Sequence, residues 1–305
     1  MPYASAQGPS GESSFSHDLE MKTPDGVALR ATLREPDVHD GREPLATLVF
    51  AHAMFARRSE WERPRGHGLA ALYADRGFRT LSFDFRGHGD STSTPGSSDY
   101  DAYVRHDLPT VVSCAKDRGG KVIVVGHSLG GHVALASQGA GFLGADALVV
   151  AGANVWHETL EPSRARFAAQ RLAAGALSRI VRTAGKFPAR ALRMGSDDAP
   201  PGALSVFLRT PGSGAWTSDD GALDYFACLS RVDVPVCAIV SRGDRFICRP
   251  TCGERFVARV RGPKKVLAVE RADDGGPAPD HMGLVTSLAC RSQWDEAIAW
   301  ALASA

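Results

Sequence analysis

The 305-residue sequence has almost no net charge, with 35 basic against 34 acidic side chains and a formal charge of +1. Nothing in that balance points to nucleic acid as a partner. It has no internal repeat and no low-complexity segment. No stretch approaches the roughly twenty consecutive apolar residues of a membrane span. The opening stretch, MPYASAQGPSGESSFSHD, has no basic segment followed by an apolar one. Residues 1–15 therefore read as a flexible polar tail rather than an export signal. Cys114, Cys228, Cys237, Cys248, Cys252 and Cys290 are scattered through the chain. Without an export signal they read as reduced thiols in the cytoplasm. Cys248 and Cys252 have a spacing that can begin a metal site, but no second pair follows. On the start of a helix they are ordinary small residues, so no metal and no cofactor is expected.

What is present is an alternation. With 44% hydrophobic and 23% charged residues, short runs rich in Val, Leu, Ile and Phe alternate with longer helical stretches, the pattern of an α/β fold with a parallel sheet. SHDLEMK and VALRATL flank the turn TPDG and form an early antiparallel hairpin. LATLVFAH, FRTLSFD, KVIVVG, ADALVVAGA, VPVCAIVS and KKVLAVE are the further strands. Helices are expected over WERPRGHGLAALYADRG, closed by Gly77, and over SDYDAYVRHDLPTVVSCAKDRGG, kinked at Pro109. Two more follow, over PTCGERFVARVRG and over GLVTSLACRSQWDEAIAWALA. Residues 154–230 break the alternation. They are helical and amphipathic over LEPSRARFAAQRLAAGALSRIVRTAG, then rich in Gly and Pro. They read as a lid inserted into a core formed by 16–153 and 231–305.

Gly126-His127-Ser128-Leu129-Gly130 matches G-x-S-x-G directly after a strand and before a helix, the context that gives this string meaning. A serine at such a turn needs φ > 0, and the glycines on either side remove Cβ atoms that would collide. The hydroxyl also needs a base, and the base a carboxylate. Among the histidines, His52 and His88 lie in loops before the serine, His127 is locked in the turn, and His132 faces along the next helix. His281 lies beyond the lid, in the loop RADDGGPAPDHMGLV between the last strand and last helix. Asp244 follows the strand VPVCAIVS in a Gly-Asp turn. The order Ser128, Asp244, His281 accompanies this elbow on this architecture. The competing readings are helix capping for Asp244 and a surface pair with Asp273, Asp274 or Asp280 for His281.

With these residues, and with the loop FDFRGHGDS (83–91) carrying Asp-x-Arg-Gly-x-Gly-x-Ser, the chain resembles the α/β-hydrolase family from about residue 16 to 304. It is similar to monoacylglycerol-lipase-like and serine-aminopeptidase-like members and to bacterial predicted hydrolases. The resemblance implies a mostly parallel eight-stranded sheet flanked by helices, with a helical cap inserted after the sixth strand. It also implies a Ser128–His281–Asp244 triad working by two-step acyl transfer, with an oxyanion hole from the backbone N–H groups of Leu129 and Met54. The chain departs from the family in having His52-Ala53 where many members have His-Gly, and Asp280 where glycine often precedes the histidine. Dehalogenases and epoxide hydrolases of this fold use aspartate at the elbow, so Ser128 argues against both.

Between Trp156 and Gly195 eight basic residues (Arg164, Arg166, Arg171, Arg179, Arg182, Lys186, Arg190, Arg193) face only Glu158 and Glu161. A charge run is ordinarily a solvated face. The sharper alternative is attraction of an anionic substrate, such as a carboxylate-bearing ester or an acyl-CoA. His52, Trp156, Phe167, Phe207 and Trp216 are candidate substrate contacts, although lid aromatics also serve as simple packing. The expected activity is a carboxylesterase or lipase-like serine hydrolase acting on a small ester or acyl substrate. An acyltransferase, thioesterase, amidase or peptidase would use the same triad, and a non-catalytic binding protein on this fold is the third alternative.

Overall fold

The computed structural model describes residues 16–36, 43–92 and 100–305; the expected tail, 1–15, lies outside them. Eight strands form one sheet: β1 (Ser16–Lys22), β2 (Ala28–Arg34), β3 (Thr47–Ala51), β4 (Arg79–Phe83), β5 (Val122–His127), β6 (Ala147–Ala151), β7 (Val236–Ser241) and β8 (Lys264–Val269). Their order is β1-β2-β4-β3-β5-β6-β7-β8. The hairpin β1–β2 is antiparallel and β2 meets β4 antiparallel, while every pairing from β4 to β8 is parallel. The central strands are apolar throughout because both sheet faces are covered. Val49, Val124 and Val150 face a cluster with α3 (Leu108–Lys116), α4 (Leu129–Gly139) and α8 (Pro250–Val257). Their neighbours Phe50, Val125 and Val149 face α1 (Leu69–Ala74) and α10 (Arg291–Ser304).

Several expected helices are shorter. The stretch after Trp61 is helical only over α1, because Pro64, Gly66 and Gly68 intervene. A Cβ on Gly68 would stand 2.3 Å from the Trp61 carbonyl oxygen. The stretch from Tyr100 begins as α2 (Tyr100–Ala102), passes through a π-helical turn over Tyr103–Asp107 and continues as α3. Proline at 109 cannot donate its share of the ladder, and the wider turn before it makes room for its ring. The last helix is two pieces, α9 (Gly283–Thr286) and α10. At the break the Leu284 carbonyl accepts from Trp294 Nε1 at 2.8 Å and from Cys290 Sγ at 3.3 Å.

The segment between β6 and β7 carries α5 (Arg164–Ala184), α6 (Pro201–Ser213) and α7 (Tyr225–Leu229). Ser163 caps α5 by accepting from Arg166 N, and Gly185 ends it at φ 68°. The Gly- and Pro-rich part thus holds two helices that its composition conceals. Asp197 ties this insertion to the loops at the sheet's carboxyl edge. Its carboxylate accepts from Gly89 N at 2.5 Å and from Arg57 at 3.1 Å. Phe55 stacks on Phe187 at 4.8 Å.

Candidate active site

Ser128 sits at the end of β5 with φ 50° and ψ −109°, a conformation costing about 1–3 kcal/mol for a residue with a Cβ. Close packing holds it there. A Cβ on Gly130 would lie 2.1 Å from the Ala51 oxygen, and one on Gly126 2.5 Å from Gly131 N. The Ser128 N–H donates to Ala151 O at 2.9 Å, and α4 begins with the next residue. The half-buried serine side chain is therefore raised at the helix start.

His281 donates from Nδ1 to Asp244 Oδ2 at 2.5 Å. The other Asp244 oxygen accepts from Ile247 N at 3.0 Å and braces the turn after β7, whereas α8 begins later, with Arg249 at its N-cap and no side-chain cap bond. Burial by itself raises this carboxyl's pKa, but the His281 hydrogen bond and charge outweigh it and hold it below its ordinary value. Asp273 bonds to Ser292 and Asp274 to Gly276 N. Asp280 accepts from Gly283 N at 2.7 Å, which holds the loop at the start of α9. None of the three is the imidazole's partner. The ring lies against the end of β6, where a Cβ on Gly152 would be 3.1 Å from His281 Cε1. That is one residue beyond the carbonyl that anchors Ser128. Among the described residues no hydrogen bond joins Ser128 Oγ to His281, and such bonds often form only once substrate is bound.

Glu60, which the sequence did not single out, and His127, set aside above as locked in the turn, complete the arrangement. Glu60 is buried and accepts from Ala53 N at 2.9 Å and from His127 Nδ1. His127 Nε2 donates to the His281 carbonyl at 3.0 Å, and the two rings are 4.9 Å apart. Both ring nitrogens face oxygens, an arrangement that favours the protonated ring over the neutral one. Burial works against both charges, yet each holds the other charged: His127 is raised and Glu60 lowered from their ordinary values. One ion pair thus links the Ala53–Met54 loop, the elbow and the His281 loop. The available signal was the histidine inside the elbow, since a buried ring beside a strand end requires a partner.

His52 must be corrected. It is fully buried, with Nδ1 donating to Ala53 O at 2.7 Å and Nε2 accepting from Phe85 N at 3.1 Å. No ring nitrogen remains for a substrate, so His52 joins the loops after β3 and β4. The Asp-x-Arg-Gly-x-Gly-x-Ser loop is likewise structural. Asp84 pairs with Arg58, Arg86 with Asp107 and Asp25, and Ser91 Oγ donates to Asp84 O at 2.6 Å. At Gly89, with φ 54°, a Cβ would collide with the Asp84 carboxylate.

Of the candidate aromatics, Trp156 and Phe207 meet at 5.0 Å. Phe207 lies parallel to His132 at 6.0 Å, one helical turn after Ser128. Burial pushes the His132 pKa down to about 3, leaving a neutral ring that bonds the Tyr100 hydroxyl at 2.9 Å. Trp216 belongs to the main core and packs against Tyr225 and Phe256, whereas Trp156 and Phe207 belong to the insertion's own apolar cluster. Phe167 is half-buried on α5 and makes no ring contact among the described residues. Cys248 and Cys252 are buried, and Cys252 donates to Glu161 at 3.4 Å. The prominent surface groove, about 680 Å³, lies between α5 and α6, and its lining includes neither Ser128 nor His281.

Comparison with known proteins agrees with this architecture. Residues 48–287 match the model of the alpha/beta hydrolase family. A stretch of 100 residues is 34% identical to the sn-1-specific diacylglycerol lipase ABHD11 of Danio rerio, covering 32% of this chain and 29% of that lipase. The chain thus spans under a third of the curated relative it matches. The esterase Pf2001 of Pyrococcus furiosus superposes with a TM-score of 0.63 at 15% identity, over 95% of this chain and 90% of that one. The esterase EaEST of Exiguobacterium antarcticum superposes with 0.60 at 15% identity, over 93% and 99%. At such identities the superpositions establish the fold alone.

Proposed function

Because the chain belongs to the alpha/beta hydrolase family, we propose that it is a serine hydrolase cleaving carboxylic esters, with Ser128, His281 and Asp244 as its triad. The observation that carries this is the Asp244–His281 pair at 2.5 Å, set beside a serine held at φ 50° on the elbow. Ser128 Oγ attacks the ester carbonyl carbon while its proton passes to His281 Nε2. Asp244 stabilises the imidazolium that forms. As the tetrahedral intermediate collapses, the C–O bond to the alcohol breaks and Nε2 returns the proton to the leaving oxygen. Water then repeats the sequence on the acyl-enzyme, its proton going to Nε2 and then back to Ser128 Oγ. The Leu129 and Met54 N–H groups, which donate to no acceptor among the described residues, hold the oxyanion. Each such donor is worth about 3 kcal/mol.

Trp156 and Phe207 form one wall of the acyl pocket in this proposal, and residues 154–230 act as its cap. Free cysteines at all six positions accord with a reducing, cytoplasmic setting. No described helix is long and apolar enough to cross a membrane. A fluorophosphonate probe is expected to label Ser128, found by peptide mapping, with an ester panel turned over by the wild type and not by Ser128→Ala. Folded protein that takes up no label and hydrolyses no ester overturns the proposal. Hydroxylamine competing with water for the acyl-enzyme distinguishes hydrolysis from transfer to another acceptor.

A further inference from the structure

The segment from residue 162 to 196 contains eight basic residues and no acidic one. Within α5 the residues Arg164, Arg166, Arg171, Arg179 and Arg182 stand with no carboxylate on the helix. The helix buries a narrow stripe, with only Gln170, Ala174 and Val181 fully enclosed. Its outer side is not simply polar: Leu172 is 76% exposed and Ile180 37%, and Leu192 and Met194 beyond the helix are 51% and 50% exposed. Arg171, Arg179 and Arg182 border the groove between α5 and α6, whose lining includes Leu172, Val181 and Leu208. Gly175, with nothing within 4 Å of an added Cβ, leaves that groove open. Among the described residues, the insertion's own cations pair with carboxylates only at Lys186–Asp198 and Arg209–Asp219.

A run of charge alone is ordinarily a solvated face, but a basic helix face set beside exposed apolar side chains is the pattern of an interfacial helix. This one combines a single sign of charge with a large side chain kept in water. The spread of the charges selects among anionic partners. Arg171 and Arg182 are separated by about 16 Å of helix rise, further than one carboxylate or phosphate can serve. An array of anions side by side, with apolar material beneath it, meets both the guanidinium groups and Leu172.

We propose that the outer face of the α5–α6 pair docks on an anionic lipid bilayer surface. Arg171, Arg179 and Arg182 bind headgroup phosphates, their aliphatic stems lying along the groove. Leu172 enters the boundary between headgroups and acyl chains, as interfacial helices do. The contact is peripheral and requires no spanning segment. It is independent of the chemistry at Ser128.

The test is co-sedimentation of the full chain with vesicles of phosphatidylcholine alone, or of phosphatidylcholine and phosphatidylglycerol in equal amounts. Binding is expected to the anionic vesicles only, falling steeply as salt rises. The triple variant R171Q/R179Q/R182Q is expected to partition about a hundredfold less, at about fivefold per cation. Leu172→Ser is expected to lower partition by about tenfold. Ser128→Ala binds like the wild type, so failure of the esterase proposal leaves this result standing, and the reverse. Both surface variants should keep the wild-type rate on a soluble short-chain ester, which verifies their folding. Failure to bind anionic vesicles, equal binding to neutral ones, or partition indifferent to salt and to both variants overturns the proposal. Calorimetric binding of monomeric laurate without vesicle association also overturns it, in favour of a single-ligand site in the groove.

Discussion

At the carboxyl edge of the sheet, buried charges meet partners at close range. Glu60 faces His127, Asp244 faces His281, and Arg86 lies between Asp25 and Asp107. On the outer face of α5, Arg171, Arg179 and Arg182 have water on one side and no carboxylate partner among the described residues. The contrast follows from solvation. An enclosed charge without a partner costs several kcal/mol, so the edge is fixed by mutual need. An exposed guanidinium costs little when unpaired and remains available to something outside the chain. The edge should therefore respond strongly to the loss of one group, and the outer face hardly at all in the absence of its partner.

The largest expected effect is at Ser128. Ser128→Ala should lower kcat/KM on any accepted ester by at least about 10⁴-fold, since the triad acts as a unit. Steady-state kinetics on a soluble ester measures this, and a loss of less than tenfold would leave the serine without a catalytic role. Next is Glu60→Gln, which leaves the enclosed His127 cation without its counter-charge. A destabilisation of about 3–5 kcal/mol is expected by denaturant titration. A lower kcat should accompany it, because Ala53 and the His281 carbonyl lose a common anchor. Glu60→Asp should recover part of kcat if the role is positioning.

The same pair gives a signed pH dependence. The Glu60 pKa is lowered from 4.5 in the folded protein, so its stabilisation is present above 4.5 and lost as pH falls through the folded value. The His127 pKa is raised from 6.5, so its stabilisation is complete below 6.5 and lost as pH rises through the folded value. The stability advantage of the wild type over Glu60→Gln should be greatest between those two ordinary values and narrow on both sides. A difference independent of pH would mean that the pair is held by packing rather than charge.

This pair also marks where sequence reasoning ends. The sheet was legible because runs such as KVIVVG must be apolar on both faces, and the elbow because its glycines admit no Cβ. Asp244 and His281 were legible from their places after strands β7 and β8. Glu60 was not, since its partner is 67 residues away and nothing periodic surrounds it. His52 resembled a pocket residue because it ends a strand at the same edge. Only the structure places Phe85 N against its free nitrogen. The shorter helices after Trp61 and before Cys290 were obscured because composition resembles a helix where glycine spacing or side-chain bonds to the Leu284 carbonyl interrupt it.

A smaller effect tests the strain at the elbow. Ser128→Gly should be more stable than Ser128→Ala by about 1 kcal/mol, because glycine relieves the cost of φ 50°. The gain is partly offset by the greater freedom of glycine in the unfolded chain. Equal stability of the two inactive variants would mean that the turn is unstrained.

The smallest effect is expected on the outer face. In the absence of lipid, R171Q/R179Q/R182Q should change stability by no more than about 0.5 kcal/mol, the usual range for surface sites. Removing like charges that repel one another along α5 favours the folded state slightly, which sets the sign toward stabilisation. Denaturant titration at low and high salt separates the contributions, since screening weakens repulsion between exposed groups. The small gain should shrink at high salt. A loss of several kcal/mol would instead place these arginines in contacts of the kind that hold Glu60 and His127, and would remove the distinction between the two regions.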